Sequence, residues 1–230
     1  MTPAVKAIVF TNIGVFLLTL LAQDFIIGTF GLTPKAVLHG YLWQVVTYLF
    51  LHSPGGLSHI LFNMLAVWMF GVDLERRWGT RGFTIYYFVT GIGAAVSTIL
   101  ISLLPFDNAR LSYQAVTIGA SGSVYGLLGA WAIVFPNRPI LFMLIFPLKA
   151  RVYALIMGAI AFFSAMSASG NNVANVAHLG GLVVGWLYLK GPRDLRLELQ
   201  YRMSQWRMNR LRRKFDVHRG GRDDWKDRIH

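Results

Sequence analysis

The sequence contains no cysteine. Disulfides, cysteine–zinc sites, iron–sulfur clusters and thiol catalysis are excluded with it. It is also short of charge. Asp, Glu, Lys and Arg make up 14% of its 230 residues, against roughly 25% in an ordinary soluble domain. Acidic residues are scarcest: before residue 193 there are only Asp24, Asp73, Glu75 and Asp107. What is abundant is apolar, at 55%. That excludes a disordered chain and leaves too little polar surface for a soluble domain of this length. The composition reads as an all-α polytopic membrane protein. The net charge of +12 raises nucleic acid as a partner, but 12 of the 22 Lys+Arg lie in residues 193–230. The expected division is a membrane domain over 1–192 and a basic cytoplasmic tail over 193–230, with no nucleic-acid partner.

A helix crosses the hydrocarbon layer with about 20 apolar residues, range roughly 17–25. Six candidate spans follow, at about 4–22, 57–72, 83–104, 117–135, 152–168 and 173–189. The second is short and is expected to start within the headgroup layer. The apolar stretch from Ile140 to Leu148, bounded by prolines, is too short to span. It is placed at the interface or as an extension of a neighbouring helix. The first span lacks a small-x-small cleavage pattern and is read as a retained helix. With six spans, one side collects twenty lysines and arginines and the other only Lys35 and Arg110. By the positive-inside rule both termini are then cytoplasmic, and the loop 23–56 is outside. The expected location is a prokaryotic cell (inner) membrane.

Polar side chains inside a span point by default to function. Four stand out: His59, Asn63, Ser121 and His178. Each alone is often structural, since a serine bonds its own helix and a histidine or asparagine joins helices. Their depths agree, however. At 1.5 Å per residue, Ser121, His178 and Asn63 lie ~6, ~8 and ~9 Å below the outer starts of their spans, with His59 one turn above Asn63. A nucleophile type, a base type and hydrogen-bond donors share one level. Gly122, Gly126 and Gly129 make a smooth stripe on the fourth span, and Gly181 and Gly185 one on the sixth. Such stripes let helices pack closely, which would bring Ser121 within reach of His178. No acid or lysine lies at that depth, so a Ser–His dyad is the simplest assignment. Asn175, one turn before His178, is a candidate to orient the ring.

These residues form a recognisable set. Gly119-Ala-Ser121-Gly122 followed by Tyr125-Gly126 resembles the Gly-x-Ser-Gly signature of the rhomboid family of intramembrane serine proteases. His59-Ile-Leu-Phe-Asn63 resembles that family's His-x-x-x-Asn, and Asn175-Val-Ala-His178 with Gly181 and Gly185 its sixth-helix motif. Glu75-Arg76-Arg77 is similar to its Glu-x-Arg. The resemblance covers roughly residues 5–190. It implies a six-transmembrane-helix rhomboid-like bundle that cleaves single-pass membrane proteins near their outer membrane boundary. It also implies Ser121 as nucleophile, His178 as general base and then acid, and Tyr125 packed on the His178 ring. His59, Asn63 and the Ser121 backbone N–H would form the oxyanion hole, with Gly119 and Gly122 in support. One departure is visible: Trp43-Gln44 stands where many members carry Trp-Arg.

Such chemistry needs no metal or other cofactor. The partners expected are membrane-anchored substrates and the lipid bilayer. The rival reading is a non-catalytic rhomboid-like protein or a transporter that binds transmembrane helices. A transporter would more often carry charge at mid-membrane, and an inactive relative would usually lack Ser121 or His178. In the tail, Leu197, Tyr201, Met208, Leu211 and Phe215 fall near one helical face among arginines. That face is expected either to lie on anionic lipid or to stay solvated.

Overall fold

The computed structural model describes residues 1–105, 112–142, 145–166 and 172–212. Asp107, Arg110 and Phe215 lie outside the described residues. The chain divides into two units, Met1–Leu189 and Lys190–His230.

The first unit begins with α1, Pro3–Leu21. Pro3 stands at its start, where a missing N–H costs nothing. The orphan N–H groups of Ala4 and Val5 are taken up from far along the chain. They donate to the two carboxylate oxygens of Glu75, at 2.9 and 3.0 Å. An anion at a helix N-terminus also complements the helix dipole. The expected outer loop holds three short helices, α2 (Gln23–Phe30), α3 (Pro34–Leu38) and α4 (Gln44–Thr47), and a 3-10 turn, Tyr48–Phe50. Gln44, at the departure from Trp-Arg, is fully buried in this loop. It accepts from the Thr33 N–H at 3.0 Å and donates to the Thr29 carbonyl at 3.2 Å. The Trp43 indole N–H donates to that same carbonyl.

Next comes α5, Leu57–Ser102, whose single non-helical residue is Gly79 (φ 74, ψ 164). Glycine takes a positive φ without steric penalty. The Phe83 ring packs on Gly71 across this break, so the two halves run back alongside each other. The expected segment 57–72 falls in this element, 83–104 does so up to Ser102, and the stretch between them is helical apart from Gly79.

α6 is Ser121–Val134. The expected segment 117–135 is corrected at its start. Thr117 pairs with Leu32 in an isolated bridge, and Gly119 has φ +117, so residues 117–120 are not helical. For the stretch 140–148 the alternative of a helix extension is corrected. The stretch forms an antiparallel hairpin, β1 (Pro139–Phe142) with β2 (Phe146–Lys149), pairing Ile140 with Leu148 and Leu141 with Pro147. A proline inside a helix removes a hydrogen bond and clashes with the preceding turn. A two-stranded ribbon has only edges, where Pro147 is tolerated. α7, Ala150–Met166, and α8, Asn172–Arg212, complete the order.

By length and apolarity Pro3–Leu21 and Leu57–Ser102 suffice to cross a membrane, while Ser121–Val134 and Ala150–Met166 are shorter apolar helices. The surface of this unit is apolar, with Leu17, Leu21, Phe62, Trp68, Leu100 and Phe163 exposed. Its interior holds polar groups: Asn12, Gln44, His52, Asn63, Glu75, Thr90 and Ser123 are buried. Several close hydrogen bonds between elements. Tyr48 Oη donates to the Gly91 carbonyl, Tyr86 Oη to that of Gly126, and Ser123 Oγ to that of Tyr87. Interior polar groups with apolar exterior suit lipid, which satisfies no hydrogen bonds.

In the second unit the helical backbone runs on to Arg212 after a break at Gly191 (φ 60, ψ 156). Trp206, Met208 and Arg210 are exposed there, with the Arg210 guanidinium over the Trp206 ring at 5.3 Å.

Candidate active site

Ser121 is the first residue of α6, not a residue one turn in. Two backbone ties fix the strand of chain that delivers it. Leu32 and Thr117 exchange N–H···O=C bonds at 2.9 and 2.8 Å, and the Gly119 N–H donates to the Tyr48 carbonyl at 2.9 Å. Gly119 then turns the chain at positive φ into the helix. As a first-turn residue, Ser121 contributes an N–H that its own helix cannot use.

His178 stands in α8, and its Nε2 is 2.8 Å from Ser121 Oγ. When the ring proton is on Nδ1, Nε2 accepts the serine hydroxyl. Nδ1 is buried without a hydrogen-bond partner. The ring is held by its face instead: Tyr125, one turn along α6 from Ser121, stacks on it with centroids 4.3 Å apart and planes 6° from parallel. The approach of α8 to α6 depends on Gly181, where any Cβ would overlap the Gly122 carbonyl. A Cβ on Gly185 would overlap the Tyr86 hydroxyl and stand 3.3 Å from the Gly126 Cα. Asn175 is half-buried one turn before His178.

His59 comes to the same place from α5. Its Nδ1 accepts the Ser53 N–H at 3.2 Å. That bond assigns the ring proton to Nε2. Nε2 faces Gly119, where a Cβ would stand 2.7 Å from it and 3.9 Å from Ser121 Oγ. A side chain at 119 is thus excluded by both backbone angle and space. Asn63 is buried one turn below, and its amide donates to the His59 carbonyl at 2.8 Å. A second amide hydrogen remains for another acceptor.

The structure thus brings Ser121, His178, Tyr125, His59 and Gly119 together, and sets Asn63 on the same helix face as His59. An imidazole accepting from a serine hydroxyl can take its proton as the oxygen attacks a carbonyl. A donor beside that oxygen can stabilise the charge that develops. The sequence does not announce the partner that sets the His59 tautomer, because Ser53 acts through its backbone. Nor does it announce His52, fully buried with its ring edge-on to His59 at 5.0 Å between centroids. A histidine in a loop carries no depth or periodicity to mark it.

The family model for the rhomboid domain matches residues 39–191. Among curated proteins, the mitochondrial rhomboid protein 1 of Saccharomyces cerevisiae is 29% identical over 170 residues, covering 74% of this chain and 43% of that protein. Rhomboid protease GluP of Bacillus subtilis is 30% identical over 151 residues, 65% of this chain and 26% of that one. Rhomboid protease AarA of Providencia stuartii is 30% identical over 174 residues, 70% and 60% respectively. The match therefore spans less than half the length of the yeast and Bacillus proteins.

Proposed function

The chain belongs to the rhomboid family of integral membrane proteins, and from that premise we propose that it is an intramembrane serine endopeptidase working through a Ser121–His178 dyad. The observation that carries this reading is the 2.8 Å contact between Ser121 Oγ and His178 Nε2, made between two helices. His178 takes the hydroxyl proton as Ser121 Oγ attacks the scissile carbonyl carbon. The carbonyl oxygen gains the charge, and His59 Nε2–H, the Asn63 amide and the Ser121 N–H stabilise it. Collapse of the intermediate breaks the C–N bond, and His178 returns the proton to the leaving amine. Water, deprotonated by the same ring, then hydrolyses the acyl-enzyme. Gly119 and Gly122 serve the approach of His59 and α8, Tyr125 holds the ring, and Asn175 helps orient it.

The substrates proposed are single-pass membrane proteins cut near the outer membrane boundary. The chain would sit in a prokaryotic cell membrane as a six-span bundle over 1–192, both termini cytoplasmic. The basic stretch 193–230 would be cytoplasmic, with its part 193–212 lying as an amphipathic helix on anionic lipid. Labelling of purified protein by a fluorophosphonate tests the dyad. Wild type should label and cleave a model single-pass substrate, and Ser121→Ala and His178→Ala should do neither while remaining folded. Substantial proteolysis by purified Ser121→Ala sinks the assignment.

A further inference from the structure

A crevice of about 410 Å³ lies between α6, α7 and the first unit's part of α8, within the roughly 300–1,000 Å³ typical of small-molecule sites. Gly129, Ile133, Leu155, Leu182 and Trp186 line it, and Arg151 is the one charged residue in its wall. Leu182 keys the three helices together: a Cβ on Gly129 of α6 or Gly158 of α7 would meet its side chain at 2.8 and 3.1 Å. The crevice is therefore bounded by packed helices, not by loops.

Arg151 is exposed and sits in the first turn of α7, a turn with no acidic residue. Among the described residues the only salt bridge joins Arg138 to Asp73, and no hydrogen bond is made by the Arg151 side chain. A cation at a helix N-terminus opposes the helix dipole, so this arginine is not there for the helix. An anion at that spot would satisfy the guanidinium and the dipole together. Below it the wall is apolar. The 17 residues of α7 rise about 25 Å, so a spanning α7 puts Arg151 at headgroup depth.

We propose that this crevice is a binding site for one anionic phospholipid, with its phosphate on Arg151 and an acyl chain in the cleft between Gly129, Leu155 and Leu182. The proposal rests on the chain lying in a bilayer and not on its being a protease. A guanidinium paired with an anionic headgroup favours such a lipid about fivefold over a zwitterionic one.

The test uses the full chain in phosphatidylcholine nanodiscs doped with phosphatidylglycerol or phosphatidylcholine carrying a photoreactive group on one acyl chain. Crosslinked peptides are mapped by mass spectrometry, a readout independent of proteolysis, so its failure leaves the dyad untouched and the reverse. Labelling near Leu155 and Val183 should be about fivefold stronger with the phosphatidylglycerol probe. Arg151→Gln should reduce it to the phosphatidylcholine level, and Val183→Trp, which fills the cleft, should reduce both probes. Arg210→Gln, in the tail, should change nothing at these positions. Equal labelling by the two probes overturns the proposal, as does a preference that survives Arg151→Gln. So does displacement of the label by a single-pass substrate peptide and not by unlabelled phosphatidylglycerol, which would make the cleft a protein-docking groove.

Discussion

The carbonyl oxygen of Gly122 fills the space that a side chain on Gly181 would need. The obstacle is backbone, so no rotamer relieves it, and α6 and α8 must part. Ser121 precedes Gly122 and His178 lies one turn before Gly181, so parting acts on the 2.8 Å contact between them. Gly181→Ala should lose roughly 1–3 kcal/mol of stability and most fluorophosphonate labelling. Gly129→Ala meets only the flexible Leu182 side chain and should be milder. Thermal unfolding and labelling rates decide. Wild-type values for Gly181→Ala would show that the crossing is not what holds the pair.

The proposed oxyanion role of Asn63 and His59 separates from a packing role by kinetics. Loss of one such donor in a soluble protease costs on the order of 10²–10³ in kcat. Here several donors share the charge, so Asn63→Ala should lower kcat at least about tenfold with little change in KM. His59→Ala should act in the same way. Stability should fall only modestly, since an interhelical hydrogen bond in a membrane averages roughly 0.6 kcal/mol. The check is paired kinetics and thermal unfolding of both variants, and unchanged kcat in both removes the role.

His52 should make the protein acid-sensitive. It lies in the loop 23–56, fully buried, and burial, then the neighbouring His59 ring, push its pKa down from 6.5 to about 3. The Phe50 backbone opposes this weakly, outside hydrogen-bond geometry. Well above pH 6.5 the ring is neutral folded or unfolded and contributes nothing. Below that, the unfolded chain binds a proton that the folded one refuses. Stability then falls by up to about 1.4 kcal/mol per pH unit toward the folded pKa. Neither ring nitrogen has a partner, so His52→Phe should fold well at neutral pH and flatten the decline. Unfolding midpoints in detergent between neutral and acid pH test this. An unchanged profile in His52→Phe contradicts it.

Glu75 joins two elements 70 residues apart through Ala4 and Val5, and Thr80 Oγ1 donates to the same carboxylate at 2.8 Å. Glu75→Gln keeps the shape but points an amide N–H at a backbone donor. With hydrogen bonds to a charged group in play, the loss should be about 1–3 kcal/mol. Hydrogen exchange at the start of α1 should rise with it, and unaltered exchange there would assign Glu75 another purpose.

Much of this arrangement is legible in the sequence because lipid imposes simple rules. Apolar length locates α1, α5 and α7, and shared depth singles out Ser121, His178 and Asn63, with His59 one turn above. The structure brings Ser121, His178 and His59 together and leaves Asn63 one turn below His59. Residues 117–120 nevertheless stand outside α6, which starts at Ser121. Gly119 and the Leu32–Thr117 bridge deliver Ser121 from a loop, and an apolar Val116-Thr117-Ile118 reads as helix by hydropathy alone. The hairpin at 139–149 was hidden for a related reason: strand pairing is non-local, and prolines announce only that a helix stops. The link from Glu75 to α1 has no sequence signal, because the groups it binds there are backbone N–H groups, which leave no mark in a sequence.

Gly79 decides how α5 can yield. A longer connection would let its two halves shift independently, but a single non-helical residue supplies one pair of backbone torsions, a fulcrum. The arm before it, residues 57–78, is about 33 Å long. A swing of about 5° at Gly79 therefore carries its far end, next to His59, through about 3 Å. Glu75 and Asp73, bound to α1 and Arg138, sit close to the pivot, where they have the least leverage against that swing. Small torsions at a residue remote from Ser121 are thus magnified at the mouth of the site.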